Sequence, residues 1–297
     1  MNRRQFFATG AGAAAAMAGL PERAQAQKGS GRYKVSLAQW SLHKAIRSHL
    51  MTNMQFPRVA REQFGIEGLE FVNALMETPI ESNIRAWKKQ MNDSGTKCVL
   101  IMCDGEGYMG AVSKPERMKA AENHFKWVDV TAALGGHAIR TNMYPGQKQP
   151  ATPAEIDEFL KRCSESFAKL CEYAKGRNIN VIIENHGGVS SNPDVVVKLM
   201  EMMKLPNFGT LPDFGNFPKE VDKYDAVKKL MKHAKGVSFK CFDFDASGKE
   251  TTIDCDRMMS IVGEAGYKGY VGIEYEGTRM TEFEGIQAAK RFLDRYV

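Results

Sequence analysis

The sequence predicts an α/β protein built as a single-domain (β/α)₈ TIM barrel. Short apolar, β-branched runs alternate eight times with longer amphipathic stretches, a pattern that favours a closed parallel barrel over an open doubly wound sheet. From Gln27 onward the chain has about 271 residues and no linker-like segment, which suits one large domain. No G-x-G-x-x-G turn follows any strand and no G-x-x-x-x-G-K-[ST] loop occurs, so the pattern does not favour a dinucleotide-binding or P-loop fold.

The elements follow one another in strict alternation. The predicted strands are Lys34–Trp40, Ile66–Phe71, Lys97–Met102, Ala138–Asn142, Asn180–Asn185, Phe208–Asp213, Gly236–Phe242 and Gly269–Tyr275. The predicted helices are Met54–Phe64, Ile80–Ser94, Glu116–Leu134, Pro153–Gly176, Pro193–Met203, Lys223–Ala234, Asp256–Ala265 and Phe283–Tyr296. Two helix starts, Thr152-Pro153 and Asn192-Pro193, pair a cap residue with a proline at the first helical position.

Residues 1–26 have the features of a twin-arginine-type export signal. Arg3 and Arg4 precede a short, weakly apolar stretch rich in Ala and Gly, and Ala24-Gln25-Ala26 resembles a cleavage site. An uncleaved membrane anchor is the less favoured interpretation, because the stretch is short for a bilayer span. We therefore expect a signal at 1–26, a barrel at 27–297, a periplasmic or secreted location, and no membrane attachment after cleavage.

Charge and cysteine usage exclude several classes of function. Lys and Arg number 41 against 35 Asp and Glu, which gives a formal net charge of +6 spread along the chain. Because no dense basic stripe occurs, the sequence does not predict a nucleic-acid partner. The six cysteines lack C-x-x-C spacing, so we expect buried thiols with no required disulfide and no nucleophilic role. The oligomeric state leaves no signal in the sequence.

Three acidic residues close predicted strands and mark a candidate site. Glu184 ends Val181-Ile182-Ile183-Glu184, Asp213 ends Gly209-Thr210-Leu211-Pro212-Asp213, and Glu274 ends Tyr270-Val271-Gly272-Ile273-Glu274. An acid after an apolar strand is costly unless it faces a wet or metal-lined site, and barrels place their chemistry at these strand ends. Each acid alone is as readily a salt-bridged rim residue. The coincidence of three, on strands five, six and eight, predicts a shared site.

Three neighbouring carboxylates repel one another, and a divalent cation is the simplest compensation. An oxygen-rich set of donors favours Mn²⁺ or Mg²⁺ over zinc, which prefers nitrogen and sulfur. The sequence therefore predicts a metal held by Glu184, Asp213 and Glu274.

Three segments resemble the sugar phosphate isomerase/epimerase family of xylose-isomerase-like barrels: Ile183-Glu184-Asn185-His186-Gly187-Gly188, Leu211-Pro212-Asp213-Phe214-Gly215-Asn216-Phe217 and Gly272-Ile273-Glu274-Tyr275-Glu276-Gly277. The resemblance covers essentially the whole chain after the signal. It implies that Glu184, Asp213 and Glu274 bind a divalent metal and that the two glutamates exchange the substrate proton. A carboxylate shuttling a proton next to a metal-chelated carbonyl suits aldose–ketose isomerisation or epimerisation.

The chain departs from this family on strand seven. The family usually has a metal-binding His in a segment such as His-x-His-x-Lys-Asp, whereas Ser238 stands at the His position and Lys240 at the Lys position. Lys240 is therefore a third catalytic candidate, which contacts a substrate oxygen or partly replaces a metal charge. The alternative is a lysine that extends from the barrel mouth into water.

Other polar residues near the strand ends are candidates for substrate binding. His186 lies two residues past Glu184 and either supplies the missing metal-binding nitrogen or bonds a substrate hydroxyl. Asn216 is a candidate hydroxyl contact, and Trp40 a stacking surface for a sugar ring. Glu70 ends strand two as the three acids end theirs, and Arg140 suits an anionic group or one of the carboxylates. Weaker candidates are Gln39, Asn142 and His43.

The function expected from these features is isomerisation or epimerisation of a free sugar, keto-sugar or cyclitol by metal-assisted proton transfer through an enediolate. The partner is then a small carbohydrate. A lyase or dehydratase, for example of 3-keto-glycosides, uses the same site and remains the main alternative. A non-catalytic carbohydrate-binding barrel is the third, because the strand-seven ligand is missing.

Overall fold

The computed structural model describes residues 33–297, and the predicted export signal lies outside them. The described residues form eight strands, all paired in parallel in the order β6-β5-β4-β3-β2-β1-β8-β7. The strands are β1 (Lys34–Ala38), β2 (Gly68–Val72), β3 (Lys97–Met102), β4 (Ala138–Thr141), β5 (Asn180–Glu184), β6 (Phe208–Leu211), β7 (Val237–Cys241) and β8 (Tyr270–Tyr275). Isolated bridges, Thr210 to Ala234 and Asp213 to Ser238, join the β6 and β7 edges. The predicted (β/α)₈ barrel is confirmed.

Ten α-helices surround the strands in the described part of the chain. They are α1 (His43–Arg47), α2 (Phe56–Phe64), α3 (Glu81–Ser94), α4 (Lys114–Asn123), α5 (Phe125–Leu134), α6 (Pro153–Lys175), α7 (Pro193–Met203), α8 (Lys223–Leu230), α9 (Cys255–Glu264) and α10 (Glu282–Leu293). Short 3₁₀ helices occupy Gln39–Leu42, Asn53–Gln55, Asn73–Leu75, Gly188–Ser191 and Met231–His233. Among residues 33–297, none of the helices combines the length and the apolar composition that a transmembrane span requires.

Most predicted elements exist, with ends that differ by a few residues. The single helix expected over 116–134 is wrong, because α4 ends at Asn123 and α5 begins at Phe125. The interruption is at His124, whose backbone N bonds the carbonyl three residues back, at Ala121, and whose ring bonds the Ala120 carbonyl at 2.7 Å. The N-termini of α6 and α7 lie where the sequence predicts them. Thr152 and Glu155 form a capping box, and the Asn192 side chain accepts a hydrogen bond from the backbone N of Asp194.

The core lies in two layers. The larger cluster joins the outward faces of the strands to the helices, and it contains all six cysteines as buried free thiols. A smaller cluster consists only of strand residues and fills the barrel interior: Ala38, Val72, Val99, Leu100, Met102, Ala138, Ile182 and Leu211. Apolar side chains thus fill part of the barrel interior, and the polar groups described next lie at the C-terminal ends of its strands.

Candidate active site

Three acidic side chains meet at the C-terminal end of the barrel. Glu184 is the last residue of β5, Asp213 follows β6, and Glu274 lies near the end of β8. All three are buried, and one oxygen of each lies within 4.8 Å of the others. Parallel strands end at one mouth, which is why acids distant in sequence become neighbours.

Asp213 is fixed by the turn that follows β6. Its Oδ1 accepts hydrogen bonds from the backbone N of Gly215 and of Asn216, both at 2.7 Å. Asn185 bonds the Asp213 backbone N at 2.8 Å and its carbonyl at 3.0 Å. Gly215 must lack a side chain, because a Cβ there would lie 2.6 Å from Cγ of Lys240. These bonds leave Oδ2 as the oxygen that faces strand β7.

Glu184 lies between Arg140 and Asn216. The Arg140 Nε atom is 2.8 Å from Oε2, and the Asn216 amide donates to Oε1 at 3.0 Å. Although the Nε–Oε2 distance is short, neither atom has a hydrogen bond of acceptable angle within the described residues. Arg140 is held in turn by Asp104, whose Oδ1 accepts from Nη1 at 2.7 Å. Oε2 is thus a buried carboxylate oxygen with unused bonding capacity.

Strand β7 contributes Ser238 and Lys240 to the same cluster. The Ser238 hydroxyl lies 2.9 Å from Asp213 Oδ2 and 3.0 Å from Glu274 Oε2. Lys240 donates from Nζ to Glu274 Oε1 and Glu276 Oε2, both at 3.0 Å, and is only 2% exposed. The alternative of a lysine extending into water is therefore wrong: its ammonium group is bound between two carboxylates.

Burial and charge push the pKa values of these acids in different directions. Burial raises the pKa of Glu184 to about 7 against the opposing charge of Arg140, and it raises the pKa of Asp213 to about 7 against that of Lys240. Burial also acts to raise the pKa of Glu274, but the charge and hydrogen bond of Lys240 outweigh it and the pKa is lowered. Glu274 is therefore the ionised member of the pair of glutamates.

The site contains more carboxyl groups than cationic groups, and this excess of negative charge shows whether a bound cation would fit. The carboxyl groups are Glu70, Asp104, Glu184, Asp213, Glu274 and Glu276, and the cationic groups are Arg140 and Lys240. The single proton of the Ser238 hydroxyl serves only one of its two carboxylate contacts, so the other contact needs a proton on a carboxyl or a cation nearby. Glu184 Oε2 is also unsatisfied. The residues fit a hard divalent cation with oxygen ligands, held by Glu184, Asp213 and Glu274.

The other candidate residues have specific places around this cluster. Asn216 bonds Glu184, and Arg140 pairs with Glu184 and Asp104. Within residues 33–297, His186 lies outside the group of three carboxylates whose oxygens are within 4.8 Å of one another, and its ring contacts Tyr144 instead. Trp40 stacks on His43, with centroids 4.5 Å apart, and its indole N–H donates to Glu276. One face of this predicted stacking surface is therefore covered by the protein itself.

Glu70 lies deeper in the barrel than expected for a substrate contact. It is 1% exposed, its Oε1 accepts from the Ser36 hydroxyl at 2.6 Å, and its Oε2 has no partner in the described residues. Gly272 makes room for it, because a Cβ there would lie 2.3 Å from Oε1. Burial raises the pKa of Glu70 to about 8, and Glu274 and Glu184 add to that effect.

Three residues of the site were not singled out from the sequence. Asp104 follows the apolar strand β3 as the other acids follow theirs, so the same sequence pattern could have identified it. Glu276 comes just past the end of β8, and its carboxylate shares the Lys240 ammonium group with that of Glu274. Tyr144, whose hydroxyl bonds the His186 ring, lies in the loop after β4 and carries no such signal.

The family model for xylose isomerase-like TIM barrels matches residues 58–296. The chain belongs to this family. No curated protein matches this xylose isomerase-like barrel significantly by sequence.

Solved structures share its fold at low identity. The 3-keto-D-glucoside 4-epimerase YcjR from E. coli is 15% identical with a TM-score of 0.66, covering 90% of this chain and 99% of its own. The probable 3-DHS dehydratase AsbF from Bacillus anthracis is 17% identical with a TM-score of 0.64, covering 88% and 98%. A xylose isomerase-like TIM barrel protein from Mycobacterium smegmatis, in complex with magnesium, is 16% identical with a TM-score of 0.62, covering 92% and 97%.

Proposed function

We propose that the protein is an isomerase or epimerase of a free sugar, keto-sugar or cyclitol that moves a proton on a carbon next to a carbonyl group. The observation that carries the proposal is the pair Glu184 and Glu274, which lie with Asp213 at one mouth and each beside its own cation: Arg140 is 2.8 Å from Glu184 and Lys240 is 3.0 Å from Glu274. Two carboxyl groups at one mouth, one ready to accept a proton and one ready to give it, are what reversible proton transfer needs.

Each residue around the pair has a role in this chemistry. Lys240 keeps Glu274 ionised, so Glu274 can accept the proton from carbon. Asn216 and Arg140 orient Glu184, which gives a proton to the opposite face or to an oxygen. A divalent cation held by Glu184, Asp213 and Glu274, when bound, supplies positive charge that stabilises the negative charge developing on substrate oxygens. The magnesium complex of a solved neighbour supports Mg²⁺ as the first ion to test.

A lyase or dehydratase is the second candidate. The same carbanion expels a leaving group from the next carbon if Glu184, with its raised pKa, protonates that group. The neighbours named as an epimerase and as a probable dehydratase support both outcomes on this fold.

The test is deuterium exchange with a panel of free ketohexoses and 3-keto-glycosides in D₂O, followed by NMR and mass spectrometry. We expect deuterium at the carbon beside the carbonyl and an isomerised product in the parent protein, and loss of both in Glu274→Gln. Glu67→Gln, at an exposed surface residue paired with Arg61, is the matched control. Exchange with an eliminated product identifies the lyase, and saturable binding without any exchange identifies the non-catalytic barrel.

Metal content is the second measurement. A divalent ion at one per chain, lost in Asp213→Asn and kept in Glu67→Gln, is the expected result. Equal metal content in Asp213→Asn and the parent would contradict the assigned ligands.

Export through the twin-arginine route is also part of this proposal, supported by residues 1–26 alone. An exported enzyme meets free rather than phosphorylated sugars. Fractionation of cells that carry the Arg3→Lys, Arg4→Lys double variant should show the protein retained in the cytoplasm.

A further inference from the structure

The loops that follow β4 and β5 hold each other in place beside the acid cluster. The Gln149 amide oxygen accepts from the backbone N of Val189 at 3.2 Å. Gly188 has a φ of +57°, and a Cβ there would lie 2.8 Å from the Gln149 amide nitrogen. The backbone N of His186 donates to the Ser190 hydroxyl at 3.0 Å. The backbone that carries His186 is therefore fixed before any ligand binds.

The His186 ring is fixed by Tyr144. The Tyr144 hydroxyl lies 2.7 Å from His186 Nδ1 and 3.0 Å from the His186 carbonyl oxygen. A phenol has one proton and also accepts. Both contacts are hydrogen bonds only if the Tyr144 hydroxyl donates its proton to the His186 carbonyl and accepts one from Nδ1–H of the His186 ring. The opposite assignment leaves two oxygens 3.0 Å apart with no proton between them.

This arrangement determines what the other ring nitrogen offers. Nε2 of His186 has no hydrogen-bond partner among residues 33–297, and the ring is only partly buried. The ring also lies close enough to Arg140, Asp104, Glu274 and Lys240 for their charges to act on it. The unpaired nitrogen thus belongs to a side chain at the edge of the acid cluster.

We propose that Tyr144 positions His186 so that Nδ1 carries the ring proton and Nε2 accepts a hydrogen bond from a hydroxyl group of a polyhydroxylated substrate. The substrate part rests on the proposed function, whereas the proton position does not. Tyr144 is a positioning residue, since it acts through His186. A site that presents an acceptor in this way favours a substrate with a hydroxyl group over its deoxy analogue.

The experiment is ¹⁵N NMR of the histidine rings in the full chain, with His186→Gln used to assign the resonances. In the parent we expect a protonated Nδ1 and an unprotonated Nε2 at His186. In Tyr144→Phe we expect both tautomers in exchange. Tyr267→Phe is the matched control, because it removes a hydroxyl that donates to a backbone carbonyl, that of Tyr270, at 2.8 Å. Its His186 signals should equal those of the parent.

A proton on Nε2 in the parent, or an unchanged tautomer in Tyr144→Phe, would overturn the positioning role. The hydroxyl contact is tested by titrating D-fructose, D-tagatose and myo-inositol while following Nε2. We expect a saturable shift with at least one of them. Binding in Tyr144→Phe should be about twofold weaker, because the tautomer with an unprotonated Nε2 falls to roughly half of the population. No saturable shift would overturn the hydroxyl contact. A fixed tautomer without any sugar exchange in D₂O would refute the proposed function alone.

Discussion

The pH dependence of stability should depend strongly on Glu70, because this carboxyl group is buried with a single hydrogen-bond partner among the described residues. Its only described hydrogen bond comes from Ser36, and its pKa rises from 4.5 to about 8. A raised pKa means that the folded protein keeps the proton up to about pH 8, whereas the unfolded chain loses it above about pH 4.5. Between these values, stability should fall as the pH rises, by about 1.4 kcal/mol for each pH unit.

Replacing Glu70 with Gln removes this dependence and keeps the contact, since an amide oxygen also accepts from Ser36. At pH 5 the variant and the parent should differ by less than about 1 kcal/mol in the free energy of unfolding. At pH 7 Glu70→Gln should be more stable by roughly 3 kcal/mol. In thermal melts this corresponds to a melting temperature higher by roughly 5 °C or more.

The measurement is a series of thermal melts from pH 5 to pH 8 in buffer with EDTA, so that no metal adds its own pH dependence. Glu67→Gln serves as the control, since it removes an exposed carboxyl one residue before β2 and should follow the parent at every pH. A constant difference between Glu70→Gln and the parent across this range would refute the reasoning and would mean that Glu70 is ionised in the folded protein.

Three further substitutions test the packing and charge of the site. Gly272→Ala places a Cβ 2.3 Å from Glu70 Oε1 and should lower the free energy of unfolding by about 1–3 kcal/mol, with recovery in a Gly272→Ala, Glu70→Ala double variant, measured by thermal melts. Lys240→Met removes the charge that keeps Glu274 ionised, so the acidic limb of the pH–rate profile for deuterium exchange should move to higher pH; an unmoved limb would mean that Glu274 is not the base. Arg140→Met leaves the buried Glu184 carboxylate without its partner and should lower the free energy of unfolding by about 3–5 kcal/mol in chemical denaturation, well above the loss in Arg61→Met at the surface.

The barrel could be predicted from the sequence because its signals are local and repeated. Each strand is an apolar run bounded by turn residues, and helix starts such as Thr152-Pro153 carry their own caps. The prediction of one helix over 116–134 was wrong because the interruption has no local signal in the sequence. The apolar pattern continues through His124, and only the bonds of that residue to Ala120 and Ala121 show that the helix ends and restarts there.

The positions of the site residues were predictable, but their partners were not. Barrel enzymes place their reactive groups at the C-terminal ends of the strands, and an acid at the end of an apolar run is how Glu184, Asp213 and Glu274 were found. The same signal misplaced Glu70, which lies in the middle of β2. Whether Trp40 faces a ligand or its own neighbour depends on the loop that carries His43. Its stacking on that ring is a tertiary contact that no spacing of residues encodes.

Strand seven shows most clearly what the contacts add to the sequence. Read as a motif, Ser238 is a missing ligand that weakens the metal site. In the structure the Ser238 hydroxyl lies between Asp213 and Glu274 and donates a proton to one of them. A neutral histidine at this position could instead present an unprotonated nitrogen. Lys240, two residues on, adds a positive charge to Glu274. A serine at this position therefore offers a hydroxyl proton where a histidine offers a nitrogen donor, and the permanent positive charges beside the acids are those of Lys240 and Arg140. A cation in this site would meet three carboxylates already partly neutralised by the protein, so we expect it to bind more weakly and to depend more on pH than in a barrel with a strand-seven histidine.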